Sequence, residues 1–120
     1  MSLYDQLGGG DAIAAALNRF YEKVLADDRV SVFFDGVNLD RVKAQQQAFI
    51  AMALGGPKEY GGRDLRTAHR RARTRGLDDE RFDIFAEYFR ETMVELGVEA
   101  QPVEQVMEIV YGGKEEVLAR

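Results

Sequence analysis

The segment GGRDLRTAH, residues 61–69, ends in the only histidine of this 120-residue chain. At helical spacing His69 has apolar Leu65 before it and Ala72 after it, but arginines also flank it one turn away. The imidazole is therefore expected at the edge of an apolar face. Without a second histidine or a cysteine, His69 cannot build a typical zinc site, which needs several nitrogen or sulfur ligands. It can supply one metal bond, or it can be an ordinary packed or surface side chain.

Hydrophobic periodicity predicts helices on both sides of this segment. Glycine clusters divide the chain, and between them apolar residues recur every three or four positions. We expect a loop at 55–63, a short or irregular helix at 64–73, and longer helices from Asp11 to about Asp27, from Asn38 or Asp40 to Leu54, from Asp78 or Asp79 to Leu96, and from near Pro102 through Val117. No segment has a convincing strand period. The pattern predicts one all-α domain over residues 1–120, with about five substantial helical pieces.

Two polar side chains interrupt the apolar faces of these helices. Gln46 and Tyr21 each have apolar neighbours one turn before and one turn after them. A buried amide or hydroxyl without a partner costs about 1–3 kcal/mol, so each needs a hydrogen bond. Either could bond a backbone carbonyl and do nothing more, but two donors on separate apolar faces favour a shared cavity. Together with the aromatic pair Phe33-Phe34 and the lone His69, this set is typical of a haem pocket.

At this point the chain resembles the group I truncated haemoglobins. The similar stretches keep the family's order over most of the chain, and the likeness fades after about Leu96. They are Leu3–Gly9, Phe20–Asp28, Phe33–Phe34, Gln46–Phe49, Ala53–Pro57, Tyr60–Arg63 and Ala68–His69. The resemblance implies a shortened globin in which two helices lie over two around a non-covalent b-type haem.

The resemblance also implies roles for individual residues. His69 would be the proximal iron ligand, and Tyr21 and Gln46 would face the open side of the iron, where Val42 also lies. Phe34 would pack against the porphyrin with Phe33 nearby. The other implied pocket residues are Tyr60, Leu65, Ala68, Leu77, Phe82 and Val106. The implied partners of the propionates are Arg41, Lys43 and Arg66.

The chain departs from the family pattern at several distal positions. Some members carry a distal histidine that binds the iron, but this chain has Gln45 near that place and no spare histidine. Val42 stands where several relatives have a polar residue, so hydrogen bonding to a ligand would depend on Tyr21 and Gln46. Ile50 stands where some relatives have a phenylalanine proposed to gate ligand entry. A five-coordinate ferrous iron is therefore the expected state.

Composition and charge limit the other function classes. The absence of cysteine excludes disulfides, iron–sulfur clusters and haem attached through C-x-x-C-H. The net charge of −5 disfavours general nucleic-acid binding. Residues 63–75 nevertheless hold six arginines and one acid, which indicates either a bound anion or a solvated basic face. With no signal-peptide pattern and no membrane-length apolar run, we expect a cytoplasmic protein.

The expected function is reversible binding of dioxygen, with nitric oxide and carbon monoxide as further ligands. Dioxygen bound to ferrous iron carries partial negative charge, so each directed donor stabilises it by about 1–1.5 kcal/mol. This stabilisation should make the release of dioxygen slow. Slow release also suits conversion of nitric oxide to nitrate, which would need an unidentified external reductase. A non-haem helical module, whose arginines bind a phosphorylated or nucleic-acid partner, is the remote alternative. We expect a monomer.

Overall fold

The computed structural model describes residues 2–55 and 64–120. Every regular element in these two ranges is helical, which confirms the predicted all-α class. In chain order the helices are α1 Leu3–Gln6, α2 Gly9–Leu25, α3 Asp28–Ser31, α4 Leu39–Ala53, α5 Leu65–Ala68, α6 Arg70–Thr74, α7 Asp79–Glu95, α8 Ala100–Gly112 and α9 Lys114–Leu118, and a 3-10 turn at Val32–Phe34 follows α3. Within the described ranges, none of the helices is long and apolar enough to span a bilayer.

Helix α2 begins earlier than its sequence pattern predicts. Its N-cap is Gly8, whose φ of +101° lies in the left-handed region that favours glycine. A Cβ on Gly8 would also lie 2.9 Å from the Cβ of Ala12. The prediction that Asp11 caps this helix is wrong, because Asp11 lies in the first turn, where its charge favours the helix dipole. The helix also ends early, and Asp27 instead caps α3.

The predicted boundaries of α4 and α7 are confirmed to within about a residue. Asn38 caps α4 by accepting a hydrogen bond from the backbone N–H of Arg41, 3.2 Å from its Oδ1. Asp78 caps α7 in the same way, accepting from the N–H of Arg81 at 3.0 Å. Such side-chain acceptors satisfy donors that the first turn of a helix leaves unpaired.

The last predicted helix is two helices in the structure. Helix α8 ends at Gly112, and α9, which contains Val117, begins after Gly113. The predicted short segment at 64–73 is also divided, into α5 and α6. His69 lies at the junction as the C-cap of α5. Two helix ends therefore meet at the candidate ligand.

The core forms where α2 packs against α4 and α7, and α7 packs against α8. These contacts produce the expected arrangement of two helices over two. Buried apolar residues come mainly from α2, α7 and α8, among them Leu17, Val24, Met93, Val103 and Met107. Ion pairs support the α2–α7 contact at its edge: Lys23 Nζ lies 2.8 Å from carboxylate oxygens of both Glu91 and Glu95.

Helix α4 is the least enclosed of the long helices. Ala51 is its only fully buried residue, and Val42, Gln46 and Ile50 are half-buried although they share its apolar side. This side of α4 packs against the core, but only partly: Val42 and Ile50 contact the core cluster without being fully buried. It is the side on which the sequence predicts the ligand-binding residues.

Candidate functional site

The imidazole of His69 is held by a hydrogen bond to its own helix. Its Nδ1 lies 2.7 Å from the carbonyl oxygen of Leu65. A carbonyl can only accept, so Nδ1 carries the hydrogen and Nε2 keeps its lone pair. Burial lowers the pKa of His69 below its ordinary value of 6.5; the charge of Arg73 adds to this effect and the Leu65 carbonyl opposes it. The ring is therefore neutral at pH 7 and can bind a metal through Nε2.

Tyr21 and Gln46 are joined directly by a hydrogen bond. The hydroxyl of Tyr21 donates a hydrogen bond to Oε1 of Gln46. Tyr21 is only 1% exposed, and burial raises the pKa of its phenol above the ordinary value of 10.0. The phenol therefore keeps its hydrogen at physiological pH. Because the bond uses the amide oxygen, the Nε2 hydrogens of Gln46 are available to another acceptor.

An aromatic cluster surrounds Tyr21. The ring of Phe34 meets Tyr21 edge-on with centroids 5.2 Å apart, and Phe20 meets it edge-on at 5.1 Å. Phe85 of α7 completes the cluster, 6.0 Å from Phe34 and 5.8 Å from Phe33. The sequence analysis did not assign Phe85 to the site. Its spacing of three residues from Phe82 was the available signal.

The remaining predicted pocket residues lie in different surroundings. Phe82 and Val106 are buried in the core, and Phe82 also meets Tyr111 with ring centroids 5.7 Å apart. Leu65 and Leu77 are half-buried against the core, whereas Ala68 is exposed. The prediction for Tyr60 lies outside the described residues.

The predicted propionate partners also differ from one another. Arg41 is exposed in the first turn of α4. Lys43 is half-buried, with Nζ 5.7 Å from the centroid of the Tyr21 ring. Arg66 forms an ion pair with Glu116 of α9, with Nε 3.3 Å from Oε2. Lys43 therefore lies beside the Tyr21–Gln46 pair, while Arg66 would have to share its charge with Glu116.

Much of the arginine run is engaged within the chain. Besides Arg66, Arg73 donates to the carbonyl oxygen of Val117 at 2.8 Å, and Arg75 donates to carbonyls at and after the 3-10 turn. These contacts favour a structural role over a free anion-binding face for the engaged arginines. Arg70 and Arg71 are exposed.

A separate apolar cavity of about 220 Å³ lies between α2 and α7, near α1 and the α7–α8 connection. Ile50 of α4 lines it together with Ile13, Phe89 and Met93. The residue that replaces the proposed gating phenylalanine thus borders an apolar space. His69, Tyr21 and Gln46 are not part of its lining.

The chemistry of the donor set fits a haem. His69 offers one neutral nitrogen, Tyr21 and Gln46 offer hydrogen-bond donors, and Phe34 offers an aromatic surface. In the described ranges no group of three or more His, Cys, Asp or Glu side chains could hold a metal ion. A metal at this site would therefore depend on a single protein ligand, which is the coordination that a porphyrin-bound iron requires.

Comparisons with known proteins agree with this assignment. Residues 2–118 match the family model described as Bacterial-like globin. A group 1 truncated haemoglobin of Chlamydomonas moewusii is 41% identical over 117 residues, which cover 98% of this chain and 68% of that protein. A group 1 truncated haemoglobin of Synechocystis sp. is 41% identical over 106 residues, which cover 88% of this chain and 86% of that protein.

Solved structures give the same result for the fold. The 2/2 haemoglobin of Synechococcus sp., in the cyanomet state and with covalently attached haem, superposes with a TM-score of 0.94 at 38% identity, covering 100% of both chains. A truncated haemoglobin of Tetrahymena pyriformis in the Fe(III) form superposes with a TM-score of 0.90 at 35% identity, covering 98% of both chains. With its two-over-two helices, this chain belongs to the bacterial-like globin family, among the group 1 truncated haemoglobins.

Proposed function

We propose that this globin binds dioxygen reversibly at a non-covalent b-type haem, with carbon monoxide and nitric oxide as further ligands. The observation that carries the proposal is the hydrogen bond between Tyr21 and Gln46, two buried or half-buried donors on separate helices. A pocket that only stored haem would have no need of this pair. A pocket that retains a polar diatomic ligand would need it.

His69 and the aromatic cluster would hold the cofactor. His69 Nε2 is the proposed proximal ligand, because Nδ1 is occupied by the Leu65 carbonyl. Phe34 and Phe33 are the proposed aromatic contacts, and Lys43 and Arg41 are the proposed partners of the propionates. When bound, the haem supplies a ferrous iron with one coordination position for a diatomic ligand.

Tyr21 and Gln46 would retain the ligand by donating hydrogen bonds to it. In the observed arrangement the amide hydrogens of Gln46 are the available donors. If the amide turns over, its Nε2 donates to the Tyr21 oxygen and the phenol hydrogen becomes available instead. Each donor contributes about 1–1.5 kcal/mol, and a dry cavity strengthens it. Release should therefore be slow, and the charge-poor outer atom of carbon monoxide should benefit less.

Absorption spectroscopy of the purified protein tests this proposal. We expect haem to co-purify, a five-coordinate ferrous spectrum without ligand, and a spectrum that changes reversibly as dioxygen is added and removed. A colourless protein that also fails to take up added hemin would reject the haem assignment. A six-coordinate ferrous spectrum without ligand would reject the open coordination position and would require an internal ligand other than histidine.

The non-covalent attachment can be tested separately. The similar Synechococcus protein carries covalently attached haem, but this chain has no cysteine and its single histidine is the proposed axial ligand. We therefore expect acidified butanone to extract all of the haem, leaving a chain with the mass of its sequence. A residual mass increase equal to one haem would show a covalent bond.

Conversion of nitric oxide to nitrate is a second candidate activity, favoured by the same donor pair. Slow release of dioxygen leaves time for nitric oxide to react with it. The two gases combine to nitrate and take one electron from the ferrous iron, so an external reductase must return that electron. Repeated consumption of nitric oxide with a reductant present, and a single turnover without one, would support this activity. If the protein consumes nitric oxide no faster than free dioxygen alone does, this activity is excluded.

A further inference from the structure

The side chain of Arg75 ends against three backbone carbonyls of one turn. Its Nη1 lies 3.1 Å from the carbonyl oxygen of Val32, 3.4 Å from that of Phe33 and 2.9 Å from that of Asp35. These residues are separated from Arg75 by 40 or more positions in sequence. Arg75 is half-buried, and its partners here are carbonyls.

The turn needs such a donor because two short helical elements end there. Helix α3 ends at Ser31 and the 3-10 turn ends at Phe34. The last carbonyls of a helix have no partner within it and carry partial negative charge. A guanidinium can donate to several acceptors at once and stays charged at any physiological pH. Arg75 therefore adds a donor for the carbonyls of this turn, of which that of Val32 also accepts from the N–H of Asp35.

The same turn carries the aromatic pair of the proposed site. Phe33 is buried, 7% exposed, and Phe34 meets the Tyr21 ring edge-on. Tyr21 in turn donates to Gln46. A shift of the turn would therefore reach the donor pair through one aromatic contact.

Arg75 itself belongs to the segment that carries His69. It is the C-cap of α6, and neither α5 nor α6 has a fully buried residue. Polar contacts hold this segment on its other side, where Arg73 donates to the Val117 carbonyl and Arg66 pairs with Glu116 of α9. Leu65 and Ala72 pack only partly against the core, so these arginine contacts add to the apolar packing in orienting the segment.

We propose that Arg75 is a positioning residue that fixes the segment carrying His69 to the turn carrying Phe33 and Phe34, and thereby sets the distance between the proximal ligand and the distal donors. This proposal rests on the proposed haem site. It gives a role to an arginine that no motif explains, and that role is distinct from anion binding.

Four variants test it in the haem-loaded protein. Arg75→Gln removes the charge and shortens the side chain, whereas Arg75→Lys keeps the charge. Arg73→Gln removes a contact with a carbonyl on the opposite side of the segment. Arg70→Gln changes an exposed arginine of the same segment. We expect Arg75→Gln to speed dioxygen release roughly three- to tenfold, as partial loss of one hydrogen bond would. It should also broaden and shift the infrared stretching band of added carbon monoxide. Arg75→Lys should restore part of both properties, and Arg70→Gln should change neither.

Hydrogen exchange gives a readout that does not depend on haem. The N–H of Asp35 donates to the Val32 carbonyl at 3.3 Å, and that of Val37 donates to the Phe34 carbonyl at 3.2 Å. In Arg75→Gln these two amides should exchange faster than in the parent protein, whereas in Arg73→Gln they should not. If the parent protein took up no haem, the proposed function would fail while the exchange experiment still tested the contact.

The inference is overturned if Arg75→Gln and Arg73→Gln give the same release rates, infrared bands and exchange pattern, because a general loss of stability would then explain both. It is also overturned if exchange at Asp35 and Val37 is unchanged. Should Arg75→Gln fail to fold, Arg75→Lys is compared with the parent protein instead. A positioning role predicts that amide exchange at Asp35 and Val37 and dioxygen release are both moderately faster in Arg75→Lys than in the parent.

Discussion

The Tyr21 hydroxyl has one hydrogen to donate and the Gln46 amide has two. A ligand can therefore accept only from those hydrogens that the bond between the two side chains leaves unused. In the structure the phenol hydrogen goes to Gln46 Oε1, which leaves the amide hydrogens. The phenol keeps its hydrogen because burial raises its pKa above the ordinary value. Each residue therefore depends on the other for its orientation, and the pair was predictable from sequence because both residues interrupt apolar helix faces.

Removing the phenol oxygen should speed ligand release. In Tyr21→Phe, Gln46 loses the partner that orients its amide donors, and the alternative phenol donor is gone. We therefore expect dioxygen to leave about tenfold faster or more, at about 1.4 kcal/mol per decade. Gln46→Leu should act in the same direction. The rate is measured by mixing the dioxygen-loaded protein with carbon monoxide in a stopped-flow instrument.

Tyr88→Phe is the matched control for this change. Its hydroxyl donates to Oδ2 of Asp27 at 2.6 Å, away from the donor pair. Release from Tyr88→Phe should equal that of the parent protein. Unchanged release in Tyr21→Phe would show that the pair does not contact the ligand.

Replacing His69 with glycine should remove the axial bond and leave most of the fold intact. The ring is half-buried and contributes one hydrogen bond, to the Leu65 carbonyl. We expect weak haem uptake and loss of the five-coordinate ferrous spectrum in His69→Gly, with recovery when free imidazole is added. Circular dichroism checks that the helices persist. Normal axial coordination in a folded His69→Gly protein would refute the assignment of the proximal ligand.

At the scale of elements, the sequence predicted most closely the bounds of the two long helices whose starts carry a side-chain cap. Asn38 and Asp78 each precede a periodic apolar run and accept from a backbone N–H three residues later. The start of α2 was predicted too late because three consecutive glycines are typical of a loop. In the structure Gly8 is the left-handed N-cap, and the two glycines after it belong to the helix. Short α1 and α3 have too few residues for a period to show.

Contacts between distant elements could not be read from spacing. The Gly112-Gly113 pair was a local signal for the end of α8 that the prediction did not use. In contrast, nothing near Arg75 in the sequence indicates the carbonyls that it reaches 40 or more residues away. The site residues on long periodic helices were therefore predictable, but the contacts that hold α5 and α6 were not. The arginines of this segment reach backbone carbonyls and a carboxylate of other elements, which only the folded chain brings near.

The corner between α2 and α3 should respond to acid through Asp27. Arg29, then the Tyr88 hydroxyl, and then the N–H of Arg29 hold the pKa of this carboxyl well below its ordinary value of 3.8. Because the folded-state pKa is depressed, the carboxylate stabilises the fold above about pH 4, and this contribution is lost as the pH falls through the lower folded-state value. Asp27→Asn keeps a capping oxygen but removes the charge.

We therefore expect Asp27→Asn to be less stable than the parent at pH 7, and the two stabilities to converge between about pH 4 and 2. Urea denaturation at a series of pH values measures both. Other acid-sensitive groups are shared, so the difference between the curves isolates Asp27. Curves that stayed parallel down to pH 2 would mean that the carboxylate contributes nothing through its charge.

At the scale of the molecule, the partial burial of α4 determines how far the stability of the fold depends on a bound cofactor. Helices α2, α7 and α8 carry most of the buried residues, but α4 has a single buried residue and half-buried apolar side chains on the side that bears Gln46. A planar apolar group held by His69 would cover that face. Since such a group binds the folded chain and not the unfolded one, it stabilises the fold by mass action.

The haem-loaded protein should thus melt well above the haem-free protein. With haem present at 1,000 times its dissociation constant, the gain is about 4 kcal/mol, which for a domain of this size raises the melting temperature by roughly 10 °C or more. Differential scanning calorimetry of both forms measures the gap, and His69→Gly serves as the control because losing the axial bond should narrow it. Melting curves that coincide would mean that the half-buried face of α4 needs no cofactor to cover it, and the site would then have to be sought elsewhere on the chain.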